Sequence, residues 1–189
     1  MRFALLAAAL MLAAPALADE SIKFPEKLTR TDFQAVIADV GPAYIAGQPS
    51  EAALREMVAG GVTTIINLRT QPEMDNRRQV PYDEAAVLNE LGATYVHVPL
   101  GGPDTPYTPA AVDIVAKAIE NAKGKKVLLH CTVAWRASHM WAAYLVKYKG
   151  FTAEEARRQA EAINFNGYRA GGVPFDSLLG ATPKPAAAN

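Results

Sequence analysis

Cysteine is nearly absent. Of 189 residues one, Cys131, is a cysteine. This excludes an intramolecular disulfide and any zinc or iron–sulfur site built on several cysteines. The three histidines, His97, His130 and His139, are scattered with no cluster of carboxylates beside them, so no metal site is expected. Net charge is absent too: 19 basic residues balance 19 acidic ones. A general nucleic-acid binder would carry a basic excess, so no nucleic-acid partner is expected. With no Walker loop and no Gly-x-Gly-x-x-Gly, a nucleotide cofactor has no support, and no cofactor is expected. Beyond the N-terminus no apolar run reaches the length of a membrane span. The rest is half apolar and one fifth charged, a composition that fits one globular domain with a core large enough to hold without staples.

The first eighteen residues form a separate unit. Met1-Arg2 is a short positive start, residues 3–14 are an Ala/Leu/Met run too short to cross a bilayer, and Pro15 breaks it. Ala16-Leu17-Ala18 has the form of a signal-peptidase site. The expected organisation is a signal peptide over 1–18 cleaved near Ala18-Asp19, one domain over 19–180, and a Pro- and Ala-rich flexible tail over 181–189. The expected location is a bacterial periplasm. Cysteines of exported proteins usually come in pairs, so a lone Cys131 is either a buried inert thiol or a reactive one.

The hydrophobic pattern alternates between short β-branched runs and helical periods. Strands are predicted over 43–46, 62–68, 94–99 and 127–130, and helices over 51–59, 82–91, 109–122, 136–149 and 152–163. Ser50 and Thr152 are good N-caps, and Thr152 with Glu155 forms a capping-box pattern. Residues 19–31 and 69–81 read as a polar lead-in and a polar loop. Strands separated by helices imply an α/β fold, a central mostly parallel sheet flanked by helices. In such sheets reactive groups gather beyond the carboxyl ends of the strands. Two segments lie there: His130 to Arg136, and the Gly/Pro-rich loop 101–108, which contains Asp104.

The first segment carries the chemistry. Cys131 follows a buried strand directly, and Arg136 lies five residues on, where the next helix begins. A strand-to-helix turn points backbone N–H groups inward, and the helix N-terminus adds partial positive charge. Arg136 adds a planar fork suited to two oxygens of a phosphate or sulfate. The same positive environment favours a thiolate at Cys131. The combination suits covalent phosphoryl transfer through a phosphocysteine.

At these residues the chain resembles the cysteine-dependent protein tyrosine and dual-specificity phosphatases. His130-Cys131-(four residues)-Arg136 looks like their signature loop, one residue shorter than usual. The shorter spacing is similar to a bacterial branch related to the phosphatase-like domain fused to some β-lactamase-like hydrolases. Ala46-Gly47-Gln48-Pro49-Ser50, Gly60-Gly61-Val62, Ile65-Ile66-Asn67-Leu68-Arg69 and Tyr95-Val96-His97-Val98-Pro99 also look like that branch. The resemblance implies a dual-specificity-type phosphatase fold, with Cys131 as nucleophile and Arg136 as phosphate clamp. The loop of Thr132, Val133, Ala134 and Trp135 would supply the amides of the cradle. His130 would sit below the loop, and Asp104 would be the general acid. Ser138 would reach the cysteine from the first helical turn, and Trp135 would either wall the pocket or pack. The implied partner is a phosphorylated small molecule, lipid or protein.

Two departures stand out. The family loop usually carries a glycine where this chain has Ala134, and a Ser or Thr after the arginine where it has Ala137. They leave open a catalytically weak or inactive module that binds phosphate, sulfate or a partner. Rhodanese-like sulfur transfer, which also uses a cysteine in a short anion-binding loop, is a further alternative. Arg69, Arg77 and Arg78 are either a basic rim or ordinary solvated charge. Residues 164–168 read as a loop that could line the pocket.

Overall fold

The structure is a computed structural model that describes residues 21–165 and 174–181. The signal-peptide segment, residues 166–168 of the pocket-loop reading and residues 182–189 of the tail lie outside these. Six strands form one sheet: β1 (Glu26–Lys27), β2 (Ile37–Asp39), β3 (Ala43–Ala46), β4 (Val62–Asn67), β5 (Thr94–His97) and β6 (Lys126–His130). The order across the sheet is β1-β2-β3-β6-β4-β5. β3, β6, β4 and β5 run parallel, and β1 and β2 add an antiparallel edge.

The central strands are apolar on both faces because helices cover both. Ile45, Ile66, Val127 and Leu129 face a core shared with α4 (Pro109–Asn121), α5 (Trp135–Lys149), α6 (Ala153–Ile163) and α7 (Pro174–Leu178). Ala46, Ile65 and Leu128 face the other core with α1 (Glu51–Ala59), α2 (Gln71–Asp75) and α3 (Glu84–Glu90). The helix starts follow their caps. The Ser50 hydroxyl accepts from the Ala53 N–H at 3.1 Å, and Thr152 caps α6 as its pattern predicts. Gly150 takes φ 72° and ends α5.

The mostly parallel sheet and the five predicted helices are present, with ends moved by one or two residues. The differences are additions. β1 and β2 hold two and three residues, too few for a period to show. α2 lies inside the stretch read as a loop. It is announced by Thr70-Gln71-Pro72-Glu73, in which the Glu73 carboxylate accepts from the Thr70 N–H at 2.8 Å. Among the described residues no helix is long and apolar enough to cross a membrane.

Candidate active site

Cys131 sits where β6 ends, with 1% of its surface exposed. The loop behind it is held by its carbonyls. His130 O accepts from Leu68 N–H (2.9 Å) and Thr132 O from Gln48 N–H (3.0 Å). Val133 O accepts from the Asn164 amide. Ala134 O accepts from both the N–H (2.8 Å) and the hydroxyl (2.7 Å) of Ser138. A trans peptide points C=O and the following N–H in opposite directions. The N–H groups of Val133, Ala134 and Trp135 are therefore each turned away from the partner of the preceding carbonyl. Gly47 lets β3 run close beneath the loop. A Cβ there would lie 1.7 Å from Gln34 O and 3.0 Å from Thr132 O.

Ala134 adopts φ 64°, ψ −1°. This is the left-handed region that a glycine would enter without penalty. The alanine replaces the expected residue but not the backbone conformation. Its methyl is fully buried. Ser138 is fully buried as well, and its hydroxyl is committed to Ala134 O rather than to Cys131. Trp135, half-buried, meets the edge of the His139 ring at 4.7 Å.

Arg136 enters from the first turn of α5. Its Nη1 donates to Leu100 O (2.8 Å) and Leu68 O (3.2 Å). Its Nη2 donates to Thr132 Oγ1 at 3.0 Å. The terminal nitrogens also grip Glu73 at two points, Nη1–Oε2 at 2.8 Å and Nη2–Oε1 at 2.6 Å. The Thr132 hydroxyl donates to the same carboxylate at 2.8 Å. Burial alone would raise the Glu73 pKa, but the Arg136 and Thr70 hydrogen bonds outweigh it and hold it at about 2. Burial alone would lower the Arg136 pKa, yet bonding to Glu73 and the charge of Cys131 leave it raised. Burial pushes the Tyr107 phenol up to about 12, with Arg136, Cys131 and Glu73 all within electrostatic reach. Glu73 and Tyr107 thus belong to the site, and sequence reading passed over both. The capping-box pattern was the available signal for Glu73.

His130 lies under the loop, fully buried, with Nε2 2.9 Å from Glu84 Oε1. A carboxylate only accepts, so Nε2 carries the proton. Burial pushes the Glu84 pKa up, but His130, Gln48 and Asn67 more than reverse this and leave it lowered. Arg69 is the centre of this buried layer rather than part of a rim. It is 0% exposed, with Nη1 on Gln48 Oε1 (2.9 Å) and Nη2 on Gln79 Oε1 (3.0 Å). Arg77 donates to the Tyr82 carbonyl, and Arg78 is exposed. His97 bonds Arg69 O at 2.7 Å.

Asp104 is exposed at the tip of the 101–108 loop, inside a turn closed by Gly101 N–H to Thr105 O (2.8 Å) and Gly102 N–H to Thr105 Oγ1 (3.0 Å). The base of that loop reaches the site, because Leu100 O is bound by Arg136. Of the remaining segment, Asn164 holds the Val133 carbonyl, and Phe165 stacks on His139 at 4.0 Å. Among the described residues no group of His, Cys, Asp and Glu could hold a metal ion.

Residues 41–171, more than two thirds of the chain, match the family described as a DSP-PTPase phosphatase fused to NAD+ kinase. The chain belongs to this phosphatase family. With Cys131 as its only cysteine, it is a cysteine-dependent phosphatase. Solved structures share the fold. A DUF442 protein of Shewanella putrefaciens is 23% identical, with TM-score 0.60 over 78% of this chain and 90% of its own. PTPMT1 bound to PI(5)P is 17% identical, with TM-score 0.60 over 73% and 88%. A Cys-to-Ser form of Pseudomonas aeruginosa TpbA bound to phosphotyrosine is 15% identical, with TM-score 0.56 over 73% and 77%. No curated protein matches the chain in sequence.

Proposed function

We propose that the protein is an exported phosphatase that hydrolyses phosphotyrosine or another phosphomonoester through a cysteinyl-phosphate intermediate. The observation that carries this reading is the placement of Cys131 and Arg136 at the two ends of a loop whose carbonyls are bound outward. The Cys131 thiolate attacks phosphorus, and the ester P–O bond breaks. Asp104, protonated, gives its proton to the leaving oxygen. Asp104 as carboxylate then takes a proton from water, the resulting hydroxide attacks phosphorus, and the S–P bond breaks to release inorganic phosphate. The three-part pattern of residues 1–18 supports export to a periplasm. The phosphotyrosine and phosphoinositide bound by two structural neighbours support a phosphate ester as substrate.

The test is p-nitrophenyl phosphate hydrolysis by the wild type, Cys131→Ser and Asp104→Ala across a range of pH. Wild type should turn over and Cys131→Ser should not. Asp104→Ala should lose about 100-fold or more, with a changed pH profile. Wild type no faster than Cys131→Ser would favour the binding-module reading instead. That reading has one observation of its own: the Arg136 fork is already occupied by a carboxylate.

A further inference from the structure

Arg69 is a cation sealed inside the molecule without an anion in contact. The backbone sets its place. Leu68 N–H donates to His130 O (2.9 Å), which lays the end of β4 beside the start of the loop, and Arg69 N–H donates to Asn67 Oδ1 (2.8 Å). Gln48 then joins the arginine to the loop: its N–H donates to Thr132 O, and its Oε1 accepts from Arg69 Nη1 (2.9 Å). Nη2 donates to Gln79 Oε1 (3.0 Å) and Glu73 O (3.3 Å). All these acceptors are neutral. Nε has no hydrogen-bond partner. The carboxylate that approaches it, Glu73, stays 3.9 Å from Nε and gives both its oxygens to Arg136. Glu84 is committed to His130, Gln48 and Asn67.

A buried cation is expensive unless an anion balances it, and an arginine kept as a structural strut is normally paired with a carboxylate. Burial first, and then the charge of Arg136, hold the Arg69 pKa below its ordinary value, against Glu73, Cys131 and Glu84. As a thiolate, Cys131 is the further anion within electrostatic reach of both arginines.

We propose that Arg69 is a second cation of the phosphate site: from beneath the loop it is the counter-charge of the Cys131 thiolate and of the phosphate that the thiolate attacks. The inference rests on the reading of Cys131 and Arg136 as the phosphate site. No hydrogen bond joins Arg69 to Cys131 among the described residues, so Arg69 is a positioning residue that acts through charge. A charge in a dry layer stays effective over distances at which a surface charge is screened. Two glutamine oxygens suit the role, because they fix the fork without cancelling its charge. The other titratable groups around the pair are His130 on β6, His97 on β5, Glu84 on α3, Glu73 on α2, Arg136 on α5 and Tyr107 in the 101–108 loop.

Cys131 is the only cysteine, so alkylation by iodoacetamide reads it alone. The test compares alkylation against pH in wild type, Arg69→Met and Gln79→Glu. Gln79 is exposed, and a glutamate there sets a carboxylate on Arg69 Nη2, so this variant cancels the charge and leaves the buried side chains in place should Arg69→Met fail to fold. The pH of half-maximal alkylation should rise by about one unit in Arg69→Met and about half a unit in Gln79→Glu, with the rate at the high-pH plateau within about twofold of wild type. Arg78→Gln removes one exposed positive charge from the same stretch and should move the midpoint by less than about 0.2 unit. An unchanged midpoint in Gln79→Glu overturns the inference whatever Arg69→Met does, and so does an equal shift in Arg78→Gln. A lowered plateau with an unmoved midpoint marks a structural strut and overturns it too. These outcomes leave the phosphate-site reading standing. That reading falls, and the inference with it, if saturating inorganic phosphate does not slow alkylation of the wild type.

Discussion

Beneath the nucleophile, a carboxylate with no access to water meets an imidazole that has none either. Glu84 Oε1 takes the His130 Nε2 proton at 2.9 Å and the Asn67 amide at 3.1 Å, while Oε2 takes the Gln48 amide at 2.8 Å. Such a group is worth little beyond an apolar replacement while it is satisfied, but leaving its partners unpaired is expensive. Glu84→Ala leaves His130 Nε2 without an acceptor and takes one acceptor each from the Gln48 and Asn67 amides, which keep the Tyr82 and Tyr95 hydroxyls, and should cost about 3–5 kcal/mol in urea unfolding. Glu84→Gln keeps the shape and one oxygen and should cost less. A cost for Glu84→Ala under about 1 kcal/mol would show that the layer beneath Cys131 is not built on this carboxylate. The members of the layer come from three separate stretches, Gln48 after β3, Asn67 and Arg69 at the end of β4, and Glu84 in α3, so no local pattern in the chain could show them as one cluster.

At the scale of elements, the loop between β6 and α5 holds its shape against the preference of its residues. A non-glycine residue at φ 64° costs about 1–2 kcal/mol. Ala134→Gly removes that strain but also a fully buried methyl worth about 0.8 kcal/mol, and adds backbone entropy to the unfolded chain. The three terms nearly cancel, so the variant should unfold within about 1 kcal/mol of wild type. Ala134→Val, with a β-branched residue in the left-handed region and no space for it, should lose about 2 kcal/mol or more. A Val variant as stable as wild type would mean the loop does not need this backbone conformation. The same loop marks how far the sequence was legible. Cys131, Arg136 and the strand and helix around them stand out because strand, nucleophile and helix start are contiguous. The role of Glu73 was hidden because α2 is five residues long and polar, and only its capping box, Thr70 to Glu73, distinguishes it from loop. Arg69 looked like surface charge because arginine usually is. Its burial follows from Gln48 and Gln79, partners that lie 21 and 10 residues away.

For the whole molecule, several buried groups make the fold sensitive to acid in the same direction. His139 is held neutral near pKa 3, by burial first and by Arg157 second, and neither ring nitrogen has a hydrogen-bond partner. A histidine whose folded pKa lies below its unfolded value of 6.5 contributes stability that is present above about pH 6.5 and lost as pH falls toward 3. Glu73 contributes stability present above its unfolded pKa of 4.5 and lost as pH falls toward 2. Glu84 is lowered as well and acts with the same sign. Stability should therefore decline in two stages on acidification. The upper stage belongs to His139, which meets Trp135 edge-on and packs against the tilted ring of Phe165. His139→Phe should flatten the decline between about pH 6.5 and 4.5 and leave the lower stage in place, as read by thermal unfolding at a series of pH values. An unchanged upper stage would contradict this assignment.

The central claim is that Cys131 carries the phosphoryl group during turnover. Acid quenching of the wild type during p-nitrophenyl phosphate hydrolysis, followed by mass measurement of the peptide containing residue 131, tests it most directly. The account predicts a phosphoryl group on Cys131, and none in Cys131→Ser, which should be inactive. Turnover that persists in Cys131→Ser, or a phosphoryl group on another residue, would contradict it.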